Sequence, residues 1–247
     1  MSEAATTDVV VVIPTLNEEQ SIGDVVRGIP RDMVGRIIVA DGGSRDATVA
    51  RATDAGADVI QAGSGYGRAC LAATMAADGA DIVVFMDGDG ADDPHGIVRL
   101  IEPIRSGHCD FVIGSRARGR RDPGSIAWHQ LAAGYLAGWG IRLIYGVRYT
   151  DMCAFRAIRR DALLGLGMRE LTYGWNIEMQ MRAARAGLRI LEIPVDYRRR
   201  SGGRSKVAGS LPGTIRAGTR IIATFARVSS ETRSRTGDLR REAANSR

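Results

Sequence analysis

Five apolar, β-branched runs recur through residues 9–116, separated by segments with helical spacing or glycine-rich turns. They are VVVVIP (9–14), RIIVA (36–40), DVIQA (58–62), DIVVFMD (81–87) and DFVIGSR (110–116). A continuous β-branched run, without polar alternation, is the pattern of a strand covered on both faces. Between the first two runs, Ile22, Val25, Val26 and Ile29 repeat at helical intervals, and Thr15 and Glu18 have capping-box spacing. DGGSRDATVARATDAG reads as a turn into a helix that stops near Gly56. RACLAATMAADG reads as another helix. Asp93-Pro94 opens a fourth, with Asp93 as N-cap and proline at N1, running to about Arg105. Repeated βα units of this length predict an α/β fold: a mostly parallel sheet with helices on both faces, in a single domain. Ligands of such sheets sit at the carboxyl ends of the strands, which places Asn17, Asp41 and Asp87 around one crevice.

The second half is less regular. Residues 125–145 and 175–187 have helical character, and LRILEIPVDYRR (188–199) reads as one more strand, broken or bulged at Pro194. Residues 211–228 form a basic amphipathic segment, suited either to packing on the domain or to lying on a membrane surface. Residues 1–7 read as a flexible N-terminus, and the polar 229–247 as a disordered tail.

Charge and cysteine content narrow the function classes. The net charge of +6, with arginines clustered at 116–121 and 198–204, favours anionic partners. Zinc-finger spacing and an RNA-recognition signature are absent, so nucleic acid is not expected. Cys70, Cys109 and Cys153 are an odd, scattered set, consistent with a reducing, cytoplasmic setting. No signal peptide is legible at the N-terminus. The best membrane-span candidate, 125–141, holds His129 and Gln130 and stops at Arg142, short of the ~20 apolar residues a span requires.

Asp87-Gly88-Asp89 carries the most chemical information. Carboxylates at i and i+2 of an extended backbone point the same way, and paired oxygens at a strand end suit a hard cation, Mg²⁺ or Mn²⁺. Gly88 is expected to leave room between them for a bulky ligand. Asp92 is expected to be solvated. Asp41, ending the second run, is expected to face the crevice and accept hydrogen bonds from a nucleobase or ribose, while Ser44 or Asp46 caps the next helix. GSGYGRA (63–69), which includes Gly67 and Arg68, sets glycines before a helix, where backbone N–H groups can approach phosphate. Arg68 reads equally as a surface residue.

Taken in order, VVIPTLNEE, VADGGSRDAT, GYGRA, FMDGDG, VIGSR, DMCAFRAIRR, GWNIEMQMRAARAGLRILEIPV and RSGGRSK resemble the family 2 glycosyltransferases of GT-A fold, most of all the dolichyl- and polyprenyl-phosphate sugar transferases. The resemblance covers residues 8–210, with a nucleotide-binding half at 8–116 and an acceptor half at 117–210. It implies a metal-dependent, inverting transfer from a UDP- or GDP-sugar. It further implies that Pro14, Asn17, Glu18 and Asp41 bind the nucleotide and that Asp87 and Asp89 hold Mg²⁺ or Mn²⁺, with Asp89 the direct ligand. Gly114, Ser115 and Arg116 would line the donor-sugar and acceptor side, and Asp151, Phe155 and Arg156 match a motif that normally ends Gly-Phe-Arg. Glu178 would stand near the acceptor, and Arg200, Ser205 and Lys206 would close over the diphosphate. A hydroxyl acceptor would need a base, for which Glu178 and Asp151 are the candidates; a lipid phosphate would not.

The chain departs from that pattern in two places. The helix after GSR carries no cation before Arg142, where the lipid-phosphate transferases place arginine, and the Gly-Phe-Arg motif reads Ala154-Phe155-Arg156. Arg116, Arg118, Arg120 and Arg121 are alternative grips for an acceptor phosphate. Trp128, Tyr135, Trp139 and Trp175 form either a sugar or prenyl surface or core packing. The expected acceptor is polyprenyl phosphate, with peripheral membrane contact; a small hydroxylated metabolite is the alternative. A nucleotide-sugar-binding protein without activity is the non-enzymatic rival. A sugar-nucleotide pyrophosphorylase is disfavoured, because PTLNEE stands where it would carry a glycine-rich basic loop.

Overall fold

A computed structural model describes residues 8–202 and 211–245, with the side chains of 211–212 and 232–245 excepted. Seven strands form one sheet: β1 (Val9–Thr15), β2 (Arg36–Asp41), β3 (Asp58–Gln61), β4 (Ile82–Phe85), β5 (Phe111–Ser115), β6 (Arg156–Arg159) and β7 (Ile190–Pro194). Their order is β3-β2-β1-β4-β6-β5-β7. All neighbours are parallel except at β6, which runs antiparallel to both β4 and β5. The sheet is buried on both pleat faces at its centre, since every residue of β4 and β5 is buried and β1 is nearly so. This is why those runs lack polar alternation.

The described residues form eight helices: α1 (Ile22–Gly28), α2 (Thr48–Asp54), α3 (Tyr66–Ala76), α4 (Ile97–Arg105), α5 (Trp128–Tyr145), α6 (Arg160–Gly165), α7 (Trp175–Arg185) and α8 (Leu211–Asn245). Asp93 caps the short 3₁₀ turn Pro94–Gly96 that precedes α4, its carboxylate accepting from the His95 N–H at 3.3 Å. The sheet and helices meet in one continuous core, in which Trp175 of α7 packs edge-on to Phe85 of β4, centroids 6.2 Å apart.

The structure corrects several expectations. The Thr15–Glu18 capping box does not form: Thr15 still belongs to β1, and α1 starts at Ile22 after Ser21. The Glu18 N–H is instead held by Thr48 Oγ1 at 2.8 Å. β6 was not anticipated, because RAIR is four residues long and carries an arginine at each end. α8 continues through 229–245, where disorder was expected. That stretch is rich in Arg, Glu and Ala, good helix formers, and Arg227 pairs with Glu231 one turn on at 3.3 Å. Residues 1–7 lie outside the described residues.

No helix among the described residues is long and apolar enough to cross a membrane. α5 is nevertheless unusual. Trp128, Tyr135, Leu136, Trp139 and Leu143 fall on one helical face and are all exposed, Trp128 by 80% and Trp139 by 63%. Trp175, by contrast, is core.

Candidate active site

A cleft of about 600 Å³ lies where the carboxyl edge of the sheet meets α5, α7 and α8. Pro14, Glu18, Asp87, Gly88, Asp89, Arg116, Asp151 and Arg200 all line it, although they are spread over most of the chain.

The acidic pair arrives by a turn. β4 ends at Phe85, Met86 makes one last bond to the Val12 carbonyl (3.1 Å), and the backbone then turns through Gly88 and Asp89. Gly88 does not leave open space, contrary to expectation. A Cβ there would stand 2.8 Å from Thr15 Cγ2, so the glycine lets the acidic turn pack against β1. Ser21 Oγ fixes the same turn by donating to the Gly88 carbonyl at 2.8 Å.

Asp89 is buried. Its Oδ1 accepts from the Ala91 N–H at 2.9 Å, and its Oδ2 lies 2.7 Å from Arg200 Nη1. The other arm of Arg200 reaches Glu18 Oε1 at 2.8 Å. Asp87 receives the Tyr66 hydroxyl at 3.3 Å. Burial, and then the charge of Asp89, push its carboxyl up to about 6 against the pull of Arg116 and Arg200. Asp92 was expected in solvent but is 2% exposed, its Oδ1 buried without a hydrogen-bond partner. Burial, with Asp87 and Asp89 nearby, raises its carboxyl well above the usual range.

Crowded acidic oxygens of this kind favour a cation. Among the described residues no three His, Cys, Asp or Glu side chains converge as a complete metal cluster. Two carboxylates facing a cleft suit a hard divalent ion that takes its remaining ligands from a bound diphosphate and water. Asp87 and Asp89 therefore fit Mg²⁺ or Mn²⁺.

Arg116 and Asp151 form the second centre. Nε and Nη2 of Arg116 each lie 2.8 Å from an oxygen of Asp151, and the Arg116 N–H adds a third bond at 2.9 Å. Tyr197 stacks on the guanidinium, 5.0 Å from its ring centre. Burial would raise the Asp151 carboxyl, but Arg116 outweighs it and holds the group below the usual carboxylate range. Of the arginines at 116–121, only Arg116 lines the cleft.

Other expected residues stand elsewhere. Asp41 is buried and serves its own turn, accepting from the Gly43 and Ser44 N–H groups (both 3.0 Å to Oδ2) and from Ser44 Oγ. Asn17, in a left-handed conformation with φ 52°, bonds the same turn through the Arg45 N–H at 2.9 Å. Both residues shape the rim, where Gly42 touches the cleft. Gly67 faces the Glu170–Leu171 backbone, where a Cβ would clash at 2.3 Å, and Arg68 is exposed outside the cleft lining. Phe155 and Arg156 are wholly buried beneath the site. Ser115 is also buried, paired with Thr150 Oγ1 at 2.7 Å, and Gly114 packs against Val195. Ser205 and Lys206 lie outside the described residues.

Glu178 is the largest displacement. It is completely buried outside the cleft lining, accepting from the N–H groups of Arg169 (3.0 Å) and Glu170 (2.6 Å), from Arg182 Nε (2.9 Å) and from Arg227 Nη2 (2.9 Å). Burial opposes its charge, but these donors prevail and lower its pKa.

Sequence reasoning missed Tyr66, Tyr197, Arg216, His129 and Gln130, all of which line the cleft. Only Tyr66 carried a signal, as the first residue of a helix that follows glycines at a strand's carboxyl end.

Comparison with known proteins shows the family. The family model described as glycosyl transferase family 2 matches residues 10–166. An uncharacterized glycosyltransferase of Mycobacterium tuberculosis is 37% identical over 84% of this chain and 93% of its own length. The undecaprenyl-phosphate mannosyltransferase of Micrococcus luteus is 32% identical, covering 83% of this chain and 89% of its own. Among solved structures, glucosyl-3-phosphoglycerate synthase of M. tuberculosis with Mn²⁺, UDP-glucose and phosphoglyceric acid superposes with a TM-score of 0.73. It is 27% identical and covers 92% of this chain and 81% of that one.

Proposed function

From the premise that the chain belongs to glycosyl transferase family 2, we propose that it moves a sugar from a UDP- or GDP-sugar onto polyprenyl phosphate. The observation that carries the donor half is the Asp87–Asp89 pair at the cleft end of β4, with Arg200 and Arg116 beside it. A divalent cation held by that pair would neutralise the charge that develops on the leaving diphosphate. Arg200 approaches from the far end of the chain, poised to turn from the carboxylates to the phosphates. Arg116, fixed by Asp151 and Tyr197, presents a rigid edge to the donor-sugar side. Asn17 and Asp41 hold the rim. Lys206 and Ser205 are proposed to join Arg200, and inversion at the sugar carbon rests on the resemblance alone.

The acceptor half rests on which groups are free to take a proton. Glu178 is sealed beneath α8, and Asp151 is committed to Arg116 with its basicity reduced. A phosphate monoester is already ionised at neutral pH and needs no base, only positioning. The cleft also opens between α5 and α8, beside the exposed face of Trp128, Leu136, Trp139 and Leu143. α5 and the 213–230 stretch contain no acidic residue, while Arg142 and Arg216 are exposed there. We assign an anionic bilayer to that face: the aromatics enter the interface and Arg142 meets lipid headgroups.

A second reading, a small hydroxylated acid as acceptor, is favoured by the phosphoglyceric acid held in the neighbouring synthase structure and by His129 in the cleft wall, which would supply the base. The test is transfer of labelled sugar from UDP- and GDP-sugars, with Mn²⁺, to a prenyl phosphate and to phosphoglycerate. Label in the organic phase supports the first reading; label confined to the water-soluble product supports the second. Label in neither contradicts both.

A further inference from the structure

We infer that the cleft wall between α5 and α8 is a binding site for the acceptor's phosphate monoester, with Arg216 as its principal cation and His129 and Gln130 as partners from α5. The inference rests on the acceptor reading above and adds the residue that recognises the anion.

Among the described residues, four carboxylates line the cleft, Glu18, Asp87, Asp89 and Asp151, and three arginines, Arg116, Arg200 and Arg216. Arg116 is held by Asp151 through Nε and Nη2, and Arg200 spans Glu18 and Asp89. Arg216 has no ion pair or side-chain hydrogen bond with any described residue. It contrasts with its neighbours on α8: Arg220 bonds Glu170 Oε1 at 3.0 Å, and Arg227 bonds Glu178. Those contacts pin α8 to α7 and to the segment just before it, so Arg216 sits on a fixed support one turn before Arg220. A guanidinium held at a cleft wall without a counter-charge is matched to an incoming anion, and its planar fork fits two phosphate oxygens.

The surroundings fit the rest of such a ligand. α5 brings His129, Gln130 and Ala133 to the cleft, and α8 brings Thr214, Ala217, Gly218 and Ile221. The first group offers hydrogen bonds, and the small and apolar members offer a path for a carbon chain. α5 has no cation before Arg142, which is exposed and lies outside the cleft lining, so α5 alone could not neutralise a phosphate. The cation comes from the C-terminal helix instead. Asp151, clamped by Arg116, lies under the same part of α5: a Cβ on Gly134 would stand 3.6 Å from Asp151 Oδ1. An anion beside Arg216 would therefore enter next to the Arg116 centre.

Prenyl phosphates and phosphorylated hydroxy acids share the monoester, and two matched pairs of probes separate the sources. Farnesyl phosphate is compared with farnesol in detergent, and phosphoglycerate with glycerate in buffer, by calorimetry on the full chain with Mn²⁺ and UDP or GDP. The wild type is expected to favour the phosphorylated member of one pair by about tenfold or more. The pair that shows it identifies the source. Arg216→Gln is expected to lose that preference, Arg216→Lys to keep part of it, and Arg99→Gln, exposed on α4, to keep all of it. In transfer assays Arg216→Gln raises the acceptor KM with a smaller change in kcat. A phosphate preference retained by Arg216→Gln, or absent from the wild type in both pairs, overturns the site. If the wild type shows the preference but moves no sugar to either acceptor, the functional reading falls and the anion site stands.

Discussion

Arg200 Nη1 lies 2.7 Å from Asp89 Oδ2, joining a residue after the last strand to the acidic turn after the fourth. The same guanidinium holds Glu18 at 2.8 Å, so Arg200 supplies positive charge to the oxygens assigned to the divalent cation. Cation and arginine therefore compete for Asp89, while a diphosphate attracts both. Arg200→Ala is expected to bind Mn²⁺ alone at least as tightly as the wild type, and to bind a nucleoside diphosphate with Mn²⁺ about tenfold more weakly. Calorimetry measures both. Unchanged affinity in each would remove Arg200 from the site.

Glu178 is assigned to stability. Its ionised form is held by two backbone N–H groups and by Arg182 and Arg227, so Glu178→Gln is expected to cost about 3 kcal/mol. Per folded molecule, the variant should retain most of its transfer activity. A folded Glu178→Gln without activity would restore Glu178 as a base.

The same carboxylate sets an acid limit. Its pKa in the fold lies below that of the unfolded chain, so its contribution is complete above the unfolded value of about 4.3 and disappears as pH falls through the lower folded value. Denaturation midpoints measured from pH 6 to 3 should fall more steeply for the wild type than for Glu178→Gln. Parallel curves would contradict this.

The parts of this account legible in the sequence were those fixed by local pattern. β1, β2 and β4 announced themselves because both faces are buried, and Asp87 and Asp89 because the strand before them is so apolar. Asp93 showed as a cap because proline follows it. Hidden were features set by distant partners. β6 is short and arginine-flanked, and only its slot between β4 and β5 makes it a strand. Asp92 reads as a surface acid until Tyr197 bridges to it from more than a hundred residues away. Glu178 sits on a helix whose outer partner, α8, was legible only as a segment that packs on the domain or lies on a membrane, with no sign of which helix it covers. Arg216 was one arginine among many until the fold set it in the cleft.

The Arg116–Asp151 clamp should depend on geometry as well as charge. Arg116→Lys keeps the charge but cannot make two parallel bonds to Asp151 or stack as a plane on Tyr197. A fall in kcat/KM of about 100-fold is expected, because misplacing a group by about 1 Å can cost that much. Steady-state kinetics at saturating donor measure it. Wild-type kinetics would mean that the clamp has no part in catalysis.

The exposed face of α5 gives a binding prediction. Replacing Trp128 and Trp139 with serine removes two exposed indoles without opening the core, so the thermal midpoint should be nearly unchanged. Sedimentation with vesicles of anionic phospholipid should fall by about tenfold. Equal sedimentation would free that face for another partner.

The central claim is that Asp87 and Asp89 grip a diphosphate through a shared divalent ion. Calorimetric titration of UDP and GDP into the wild type and Asp89→Ala, with Mn²⁺ and again with chelator, tests it most directly. The account predicts tight, Mn²⁺-dependent binding of one nucleotide by the wild type, and weak binding indifferent to Mn²⁺ by a folded Asp89→Ala. Equal, Mn²⁺-dependent affinity in both proteins would contradict it.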